Sequence, residues 1–116
     1  MRQWLVDPHL LCRKHLLGEH VEHHMFVGTI CRGKSVAGYL RDGLLEPKTL
    51  QNRHTQLVTE MIRRGYNHRS PLPNVDVSHL PDGEIDIERN IADLRNRCEE
   101  CAGRINSYSW VDLFLS

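Results

Sequence analysis

Apolar residues recur at helical spacing in three segments of this chain, and no segment shows the alternating pattern of a β-strand. The clearest repeat follows Pro47 and stops at Gly65. Its members are Leu50, His54, Leu57, Val58 and Met61. A second segment runs from about Pro8 to Ile30, and a third runs from Ile87 to about residue 105. The sequence therefore predicts three main helices.

The stretches between these segments contain the residues that interrupt regular structure. Residues 36–40 lie between Ser35 and Gly43 and are predicted to form a short connecting helix. Residues 66–83 contain three prolines and are predicted to form an ordered loop. A chain of 116 residues suits one ordinary domain but not two. The prediction is an all-α fold: a compact single-domain three-helix bundle, residues 1–116, with a short connecting helix and an ordered Pro-rich loop.

The net charge is zero, but the charges are unevenly distributed along the chain. Residues 1–73 carry 11 Lys/Arg against 6 Asp/Glu, a balance of +5, whereas residues 74–116 carry 4 against 9, a balance of −5. Seven of the eight histidines lie in the basic part. Its positive field should grow as the pH falls through roughly 6.5. We therefore expect the amino-terminal part to contact a polyanion.

The four cysteines show no paired framework, and no apolar run is long enough to span a bilayer. We also expect no leader segment, because no basic stretch is followed by an apolar one at the start of the chain. These features predict a cytoplasmic protein with reduced thiols and no membrane partner.

The first two residues and one face of the first helix suggest an amine nucleophile. Met1 should be retained, because the large side chain of Arg2 disfavours its removal. Free α-amines titrate near ~7.7–8.0, so at neutral pH part of such an amine can attack an electrophilic carbon and form an imine. His15 and Glu22 lie two turns apart on one helix face. A carboxylate beside the amine would stabilise a cation and later move a proton.

Several segments together resemble the pyrimidine-dimer DNA glycosylase family, to which phage endonuclease V belongs. They are Met1-Arg2, residues 15–22 (HLLGEHVE) and, most strongly, residues 53–72, which end in EMIRRGYNHRSPL; residues 91–92 and 97–110 resemble the family's last helix and aromatic end. The resemblance implies a three-helix enzyme that excises ultraviolet-induced cyclobutane dimers, nicks the abasic backbone, and uses no metal or other cofactor. It implies a monomer whose partner is double-stranded DNA containing damaged pyrimidines or abasic sites.

Matched position by position, the resemblance assigns the catalytic roles to four residues. Met1 would attack the sugar, Glu22 would act beside it, Arg2 would hold a phosphate and His15 would polarise the sugar or the leaving base. The residues expected to contact DNA are Arg13, Lys14, His20, His23, His24, Arg32, Lys34, Tyr66, Asn67, His68, Arg69, Arg97 and Trp110. The aromatic members of this set would receive a base opened from the stack.

Two departures from the family pattern leave an alternative open. Val21 and Met25 stand where the family has arginines that bind phosphates. A relative that binds DNA or a protein partner without cutting therefore remains an alternative to the enzyme.

A zinc-stabilised binding module is a further alternative. The histidine-rich residues 20–24 and the thiols of Cys98 and Cys101, three residues apart, are potential ligands. The three histidines point in directions too divergent to share one ion, and the two cysteines lie on an apolar repeat that favours core packing. Cys12 and Cys31 are expected to be isolated and buried.

Overall fold

Five α-helices and two short 3-10 turns form the regular structure of the chain, whose computed structural model describes residues 1–68 and 70–115, with side chains up to residue 107. The helices are α1 (Arg13–Cys31), α2 (Ala37–Arg41), α3 (Leu50–Arg63), α4 (Ile87–Arg97) and α5 (Glu99–Leu115). The 3-10 turns, Pro8–Leu10 and Pro47–Thr49, precede α1 and α3. The described residues contain no strand, so the predicted all-α fold is confirmed.

The helix boundaries depart from the sequence prediction at two cysteines. The first helix begins later than predicted, at Arg13, because Leu11 and Cys12 are extended and the sulfur of Cys12 accepts a hydrogen bond from the backbone N–H of His15. The predicted third helix is interrupted at Cys98, where φ is −135° and ψ is 113°. The two interruptions are neighbours in space, since the Sγ atoms of Cys12 and Cys98 are 3.9 Å apart.

Two apolar clusters hold the helices together. The first lies between the amino-terminal segment, α1, α3 and the α4–α5 pair, and its members include Trp4, Leu11, Leu16, Leu57 and Leu94. The second lies between the end of α1, α2 and the start of α3, and its members include Phe26, Val27, Ile30, Leu45 and Leu50. Because α1 contributes to both, it buries residues on more than one side, which explains why its apolar residues are spread around its circumference.

A buried ion pair joins α1 to α3. Glu19 is fully buried, and Arg53 donates to its two carboxylate oxygens from Nε at 2.7 Å and from Nη2 at 2.9 Å. Nη1 of Arg53 donates to the carbonyl oxygen of Val6 at 2.6 Å and to Gln56 at 3.2 Å. Both charges therefore have partners inside the protein, as burial requires. The pair fixes α1 against α3 and fixes both against the amino-terminal segment.

The side chain of Gln3 anchors the start of the chain to the connection between α2 and α3. Gln3 is fully buried, and its backbone N–H donates to the carbonyl oxygen of Leu44 at 2.8 Å. Its side-chain oxygen accepts from the backbone N–H of Glu46 at 2.7 Å, and its Nε2 donates to Oγ1 of Thr49 at 3.0 Å. These bonds hold Gln3 in place, only two residues from the α-amine of Met1.

Gly83 and Gly33 provide a matched test of backbone strain. Both have a φ of +70°, which a residue with a side chain adopts at a penalty of about 1–2 kcal/mol. A methyl group on Gly83 would overlap the carbonyl oxygen of Leu45, whereas one on Gly33 would meet no atom within 4 Å.

We expect Gly83→Ala to lower the free energy of unfolding by about 2–5 kcal/mol and Gly33→Ala by about 1–2 kcal/mol, because only the first adds a collision to the strain. Urea denaturation of both variants measures the difference. If both variants lose the same free energy of unfolding, the close approach of Gly83 to Leu45 does not affect stability.

Candidate active site

The α-amine of Met1 lies against a carboxylate of α1. Its nitrogen is 3.8 Å from Oε1 of Glu22, and the side chains of Met1 and Glu22 are 13% and 29% exposed. The anchoring of Gln3 limits how far the amine can move from this position. Because both groups remain partly accessible, an electrophilic carbon can approach the nitrogen while the carboxylate stays beside it.

Burial raises the pKa of Glu22, and the nearby α-amine and the backbone N–H of Arg2 oppose that rise. The carboxyl group therefore gains its proton at a higher pH than an ordinary glutamate. A carboxyl whose pKa is moved toward neutrality is better suited to exchange protons in both directions. Chemically, this arrangement could supply a nucleophilic amine with an acid–base group beside it.

The side chain of Arg2 is hydrogen-bonded to two residues of α4. Its Nη2 donates to Oδ1 of Asn90 at 2.6 Å, and its Nη1 donates to Oδ2 of Asp93 at 3.3 Å. The guanidinium lies over the ring of Trp4, with Cζ 3.7 Å from the ring centroid, and Arg97 lies over the same ring at 5.6 Å. Asp93 also pairs with Arg97 at 2.9 Å. A phosphate bound by Arg2, as the sequence predicts, would therefore have to replace Asp93.

A cleft of about 650 Å³ opens beside Arg2 on the side of α4. Its charged lining residues are Arg2, Arg41, Arg89, Arg97, Asp42, Glu84, Asp86 and Asp93. Met1 and Glu22 do not line it. The cleft is therefore separate from the Met1–Glu22 pair, and its balanced charges give it no preference for a polyanion.

The ring of His15 contacts two thiols and the indole of Trp4. Its Nδ1 lies 3.2 Å from the sulfur of Cys12 and 3.4 Å from the sulfur of Cys101, and its ring stands edge-on to Trp4. Among the described residues, its polar contacts are to these thiols and not to Met1, Arg2 or Glu22. These contacts do not support the predicted action of His15 on the sugar, which stays a prediction.

Four imidazoles, those of His20, His24, His54 and His68, form a histidine cluster between α1, α3 and the following loop. The Nε2 atoms of His20 and His68 are 2.9 Å apart, and those of His24 and His54 are 3.3 Å apart. Burial and the neighbouring rings lower the pKa of His20 and that of His54 to about 4. These two rings therefore stay uncharged near pH 6.5, the pH at which an ordinary histidine gains its charge. His54 was not predicted as a site residue; the helical repeat placed it on the inner face of α3 but did not show which helix it would face.

The remaining predicted DNA-binding residues differ in accessibility. Those that are exposed or half-buried at the surface are Arg13, Lys14, Arg32, Lys34, Tyr66, Asn67 and Arg97. His23 is fully buried, with Nδ1 2.8 Å from the carbonyl oxygen of Glu19 and Nε2 3.1 Å from Nε2 of Gln3, so we remove it from the DNA-binding set. Arg69 lies outside the described residues, as does the side chain of Trp110.

Two groups of side chains in the described part of the chain could hold a metal ion. One comprises Cys12, His15, Cys98 and Cys101, and the other comprises His20, His54 and His68; within each group the ligand atoms lie within 4.8 Å of one another. The prediction that Cys12 is isolated is wrong, because it belongs to the first group. The prediction that Cys31 is buried is also wrong, because that residue is exposed.

A protein-family model described as pyrimidine dimer DNA glycosylase matches residues 1–74. The matched region is more than half of the 116 residues and contains Met1, Arg2, Glu22 and helices α1 to α3, whereas α4 and α5 lie beyond it. No curated protein and no solved structure matches the chain. No helix in the described ranges has the length and apolar character needed to cross a membrane.

Proposed function

Because the chain belongs to the pyrimidine dimer DNA glycosylase family, we propose that it excises pyrimidine dimers from double-stranded DNA through the amine of Met1 and then cleaves the abasic strand. The proposal is supported above all by the 3.8 Å separation between that amine and the carboxylate of Glu22. The two groups supply the nucleophile and the acid–base partner that both steps require. As proposed, the reaction uses no cofactor, and residues 1–116 act as one domain and as a monomer.

In the first step the uncharged amine attacks C1′ of the damaged nucleotide. The bond between nitrogen and C1′ forms as the glycosidic bond breaks, and the departing base takes up a proton. Opening of the sugar, with protonation of its ring oxygen, leaves a protonated imine that joins Met1 to C1′. Glu22, as a carboxylate, stabilises the positive charge that develops on C1′ and on the nitrogen.

In the second step the protonated imine makes the hydrogens on C2′ acidic. A base removes one of them, and the electron pair expels the 3′ phosphate in a β-elimination that breaks the strand. Water then hydrolyses the imine, which releases the sugar aldehyde and restores the amine of Met1. Glu22 is the acid–base group beside the amine, and its raised pKa suits it to return the proton that it has taken.

The residues around this pair position the chain and hold the DNA. We assign Arg2 a positioning role, because its contacts with Asn90 and Asp93 fix the residue next to the amine. The exposed residues proposed to bind the phosphate backbone are Arg13, Lys14, Arg32 and Lys34. His15 receives no role in the attack, since its ring contacts thiols instead.

A relative that binds DNA without cutting it is the second candidate. Val21 and Met25 lie on either side of Glu22 in α1 and are 54% and 49% exposed. The surface beside the amine is therefore apolar where the resemblance implies two phosphate-binding arginines. Under this alternative the protein binds a damaged duplex but forms no covalent bond with it.

Trapping with borohydride distinguishes the two candidates, because reduction of the imine makes the bond permanent. The assay uses protein whose intact mass shows a free Met1, with duplexes of one sequence that carry a dimer, an abasic site or no lesion. We expect an adduct with the first two duplexes, mapped to Met1, and none with the third.

A protein with an extension ahead of Met1 is the control, which should bind DNA but form no adduct at that residue. Binding of both damaged duplexes without any adduct would instead support the non-cutting relative, and an adduct at a lysine would exclude Met1 as the nucleophile.

A further inference from the structure

The start of α1 and the junction between α4 and α5 bring together three thiols and one imidazole. Cys12 and His15 are separated by two residues, as are Cys98 and Cys101. Nδ1 of His15 lies 3.2 Å from the sulfur of Cys12 and 3.4 Å from that of Cys101, and the sulfurs of Cys12 and Cys98 are 3.9 Å apart. Tetrahedral ligands at zinc, bound at about 2.3 Å through sulfur and 2.0 Å through nitrogen, are about 3.5–3.8 Å apart. These three separations bracket that range, and all four ligand atoms lie within 4.8 Å of one another.

The backbone around the four side chains is arranged to support charged sulfurs. The sulfur of Cys12 accepts from the backbone N–H of His15 at 3.5 Å, and that of Cys98 accepts from the N–H of Cys101 at 3.4 Å. The sulfur of Cys101 in turn accepts from the N–H of Cys12 at 3.3 Å. Cys12 and Cys98 each precede the first turn of a helix, where the helix dipole stabilises negative charge. Hydrogen bonds that a charged group accepts favour its charged form, so these backbone N–H groups would stabilise the thiolates that bind a metal.

We propose that Cys12, His15, Cys98 and Cys101 bind one Zn²⁺ ion that ties the start of α1 to the α4–α5 junction. Four protein ligands fill a tetrahedral coordination shell and leave no position open for a substrate, so the ion is structural. Cys12 and Cys101 are buried in the first apolar cluster, which favours a closed site. The site also accounts for both departures from helical structure, at Leu11–Cys12 and at Cys98.

Charge and position distinguish this site from the rest of the molecule. Three thiolates outnumber the positive charge of Zn²⁺ by one, and Lys14 and Arg97 are the cationic groups that act on His15. Cys98 and Cys101 lie beyond residues 1–74, so the proposed ion belongs partly to the region that the family match leaves out. The site is also independent of the proposed reaction, which takes place at Met1 and Glu22. The histidine cluster, by contrast, is accounted for by hydrogen bonds among its own rings.

Metal analysis of protein made with zinc in the medium and purified without a polyhistidine tag tests the proposal. After dialysis, elemental mass spectrometry should find about one zinc per chain. Substitution with Co²⁺ should give the intense visible absorption and the sulfur-to-metal charge transfer of a tetrahedral thiolate site. Cys98→Ser and Cys101→Ser should each weaken zinc binding by at least about tenfold in competition with a chromophoric chelator.

Two matched variants show whether the effect is local to these ligands. Cys31→Ser removes an exposed thiol outside the group and should leave the zinc content and the Co²⁺ spectrum unchanged. His54→Gln disrupts the histidine cluster and should also leave them unchanged. Zinc retained by Cys98→Ser but lost from His54→Gln would overturn the proposal, because it would place the ion in the histidine cluster.

X-ray absorption on the unaltered zinc protein keeps the proposal testable if the cysteine variants fail to fold. A shell of three sulfurs and one nitrogen supports it, whereas a shell of nitrogens alone overturns it. A protein that contains no zinc and takes up none when Zn²⁺ is supplied in excess also overturns it. None of these readouts involves DNA, so a failed trapping reaction and a failed metal analysis can be told apart.

Discussion

Replacement of Glu22 by glutamine is expected to slow trapped-adduct formation by about 10²–10⁴-fold while the fold remains intact. Glutamine keeps the shape of the side chain but cannot carry the negative charge or accept the proton that the proposed mechanism requires 3.8 Å from the Met1 nitrogen. Because Glu22 is partly exposed, its loss should change the free energy of unfolding by at most about 1 kcal/mol. Single-turnover rates on an abasic duplex measure the first effect, and thermal denaturation measures the second.

The pH dependence of the rate gives an independent readout of the same residue. Acid slows both proteins by protonating the Met1 amine, which must be uncharged to attack. Burial raises the pKa of Glu22, so in the unaltered protein the loss of the carboxylate should steepen this fall at a pH above the ordinary glutamate value of 4.5. Glu22→Gln should lack the steeper limb. Asp42→Asn is the matched control, because it makes the same chemical change at an exposed carboxylate paired with Arg41. A Glu22→Gln variant as fast as the unaltered protein would remove this residue from the mechanism.

Glu19→Gln should lower the free energy of unfolding by about 3–5 kcal/mol. The chemical change is the same as in Glu22→Gln, and the two positions are only three residues apart on α1. Glu19 and Arg53 are 0% and 2% exposed, so removal of the carboxylate leaves the guanidinium charged, buried and without its partner. For a domain with a total stability of about 5–15 kcal/mol, such a loss brings the protein close to unfolding. Urea denaturation followed by circular dichroism measures it.

Comparison of the two glutamine variants separates stability from chemistry. Glu22→Gln should be stable and inactive, whereas the folded fraction of Glu19→Gln, examined at low temperature, should still form the adduct. Arg53→Met should be destabilised to a similar extent, and the double variant should recover part of the loss because neither charge then remains buried alone. A loss below about 1 kcal/mol for Glu19→Gln would contradict a structural role for the pair.

The helix pattern predicted α3 best, because its apolar face is regular and its ends are marked by Pro47 and Gly65. The interruption at Cys98 was not predictable from spacing, since Cys98 keeps the helical interval to Leu94 and to Cys101. The chain departs from the helix at that point because the sulfur caps the next helix, and cysteine is an uncommon cap. The late start of α1 has the same cause at Cys12.

The part of the candidate site that could be predicted is the Met1–Glu22 pair, and the family resemblance is what predicted it. The resemblance led us to expect Met1 near Glu22, and the structure places the two groups 3.8 Å apart. Periodicity alone contains no such information, because it describes neighbours within one helix. The approach of His15 to Cys101, and that of His20 to His54, depends on how separate helices pack, and for this reason sequence reasoning missed both.

Through Gln3, the connection between α2 and α3 helps to set the position of the Met1 nitrogen. Its bonds to Leu44, Glu46 and Thr49 mean that a segment more than forty positions along the chain determines where the first residue lies. An insertion or deletion in that segment would shift the Met1 amine relative to Glu22 without changing either group chemically. Under the proposed mechanism, substitutions in this connection would change the reaction rate through the position of the amine, with Met1 and Glu22 themselves unaltered.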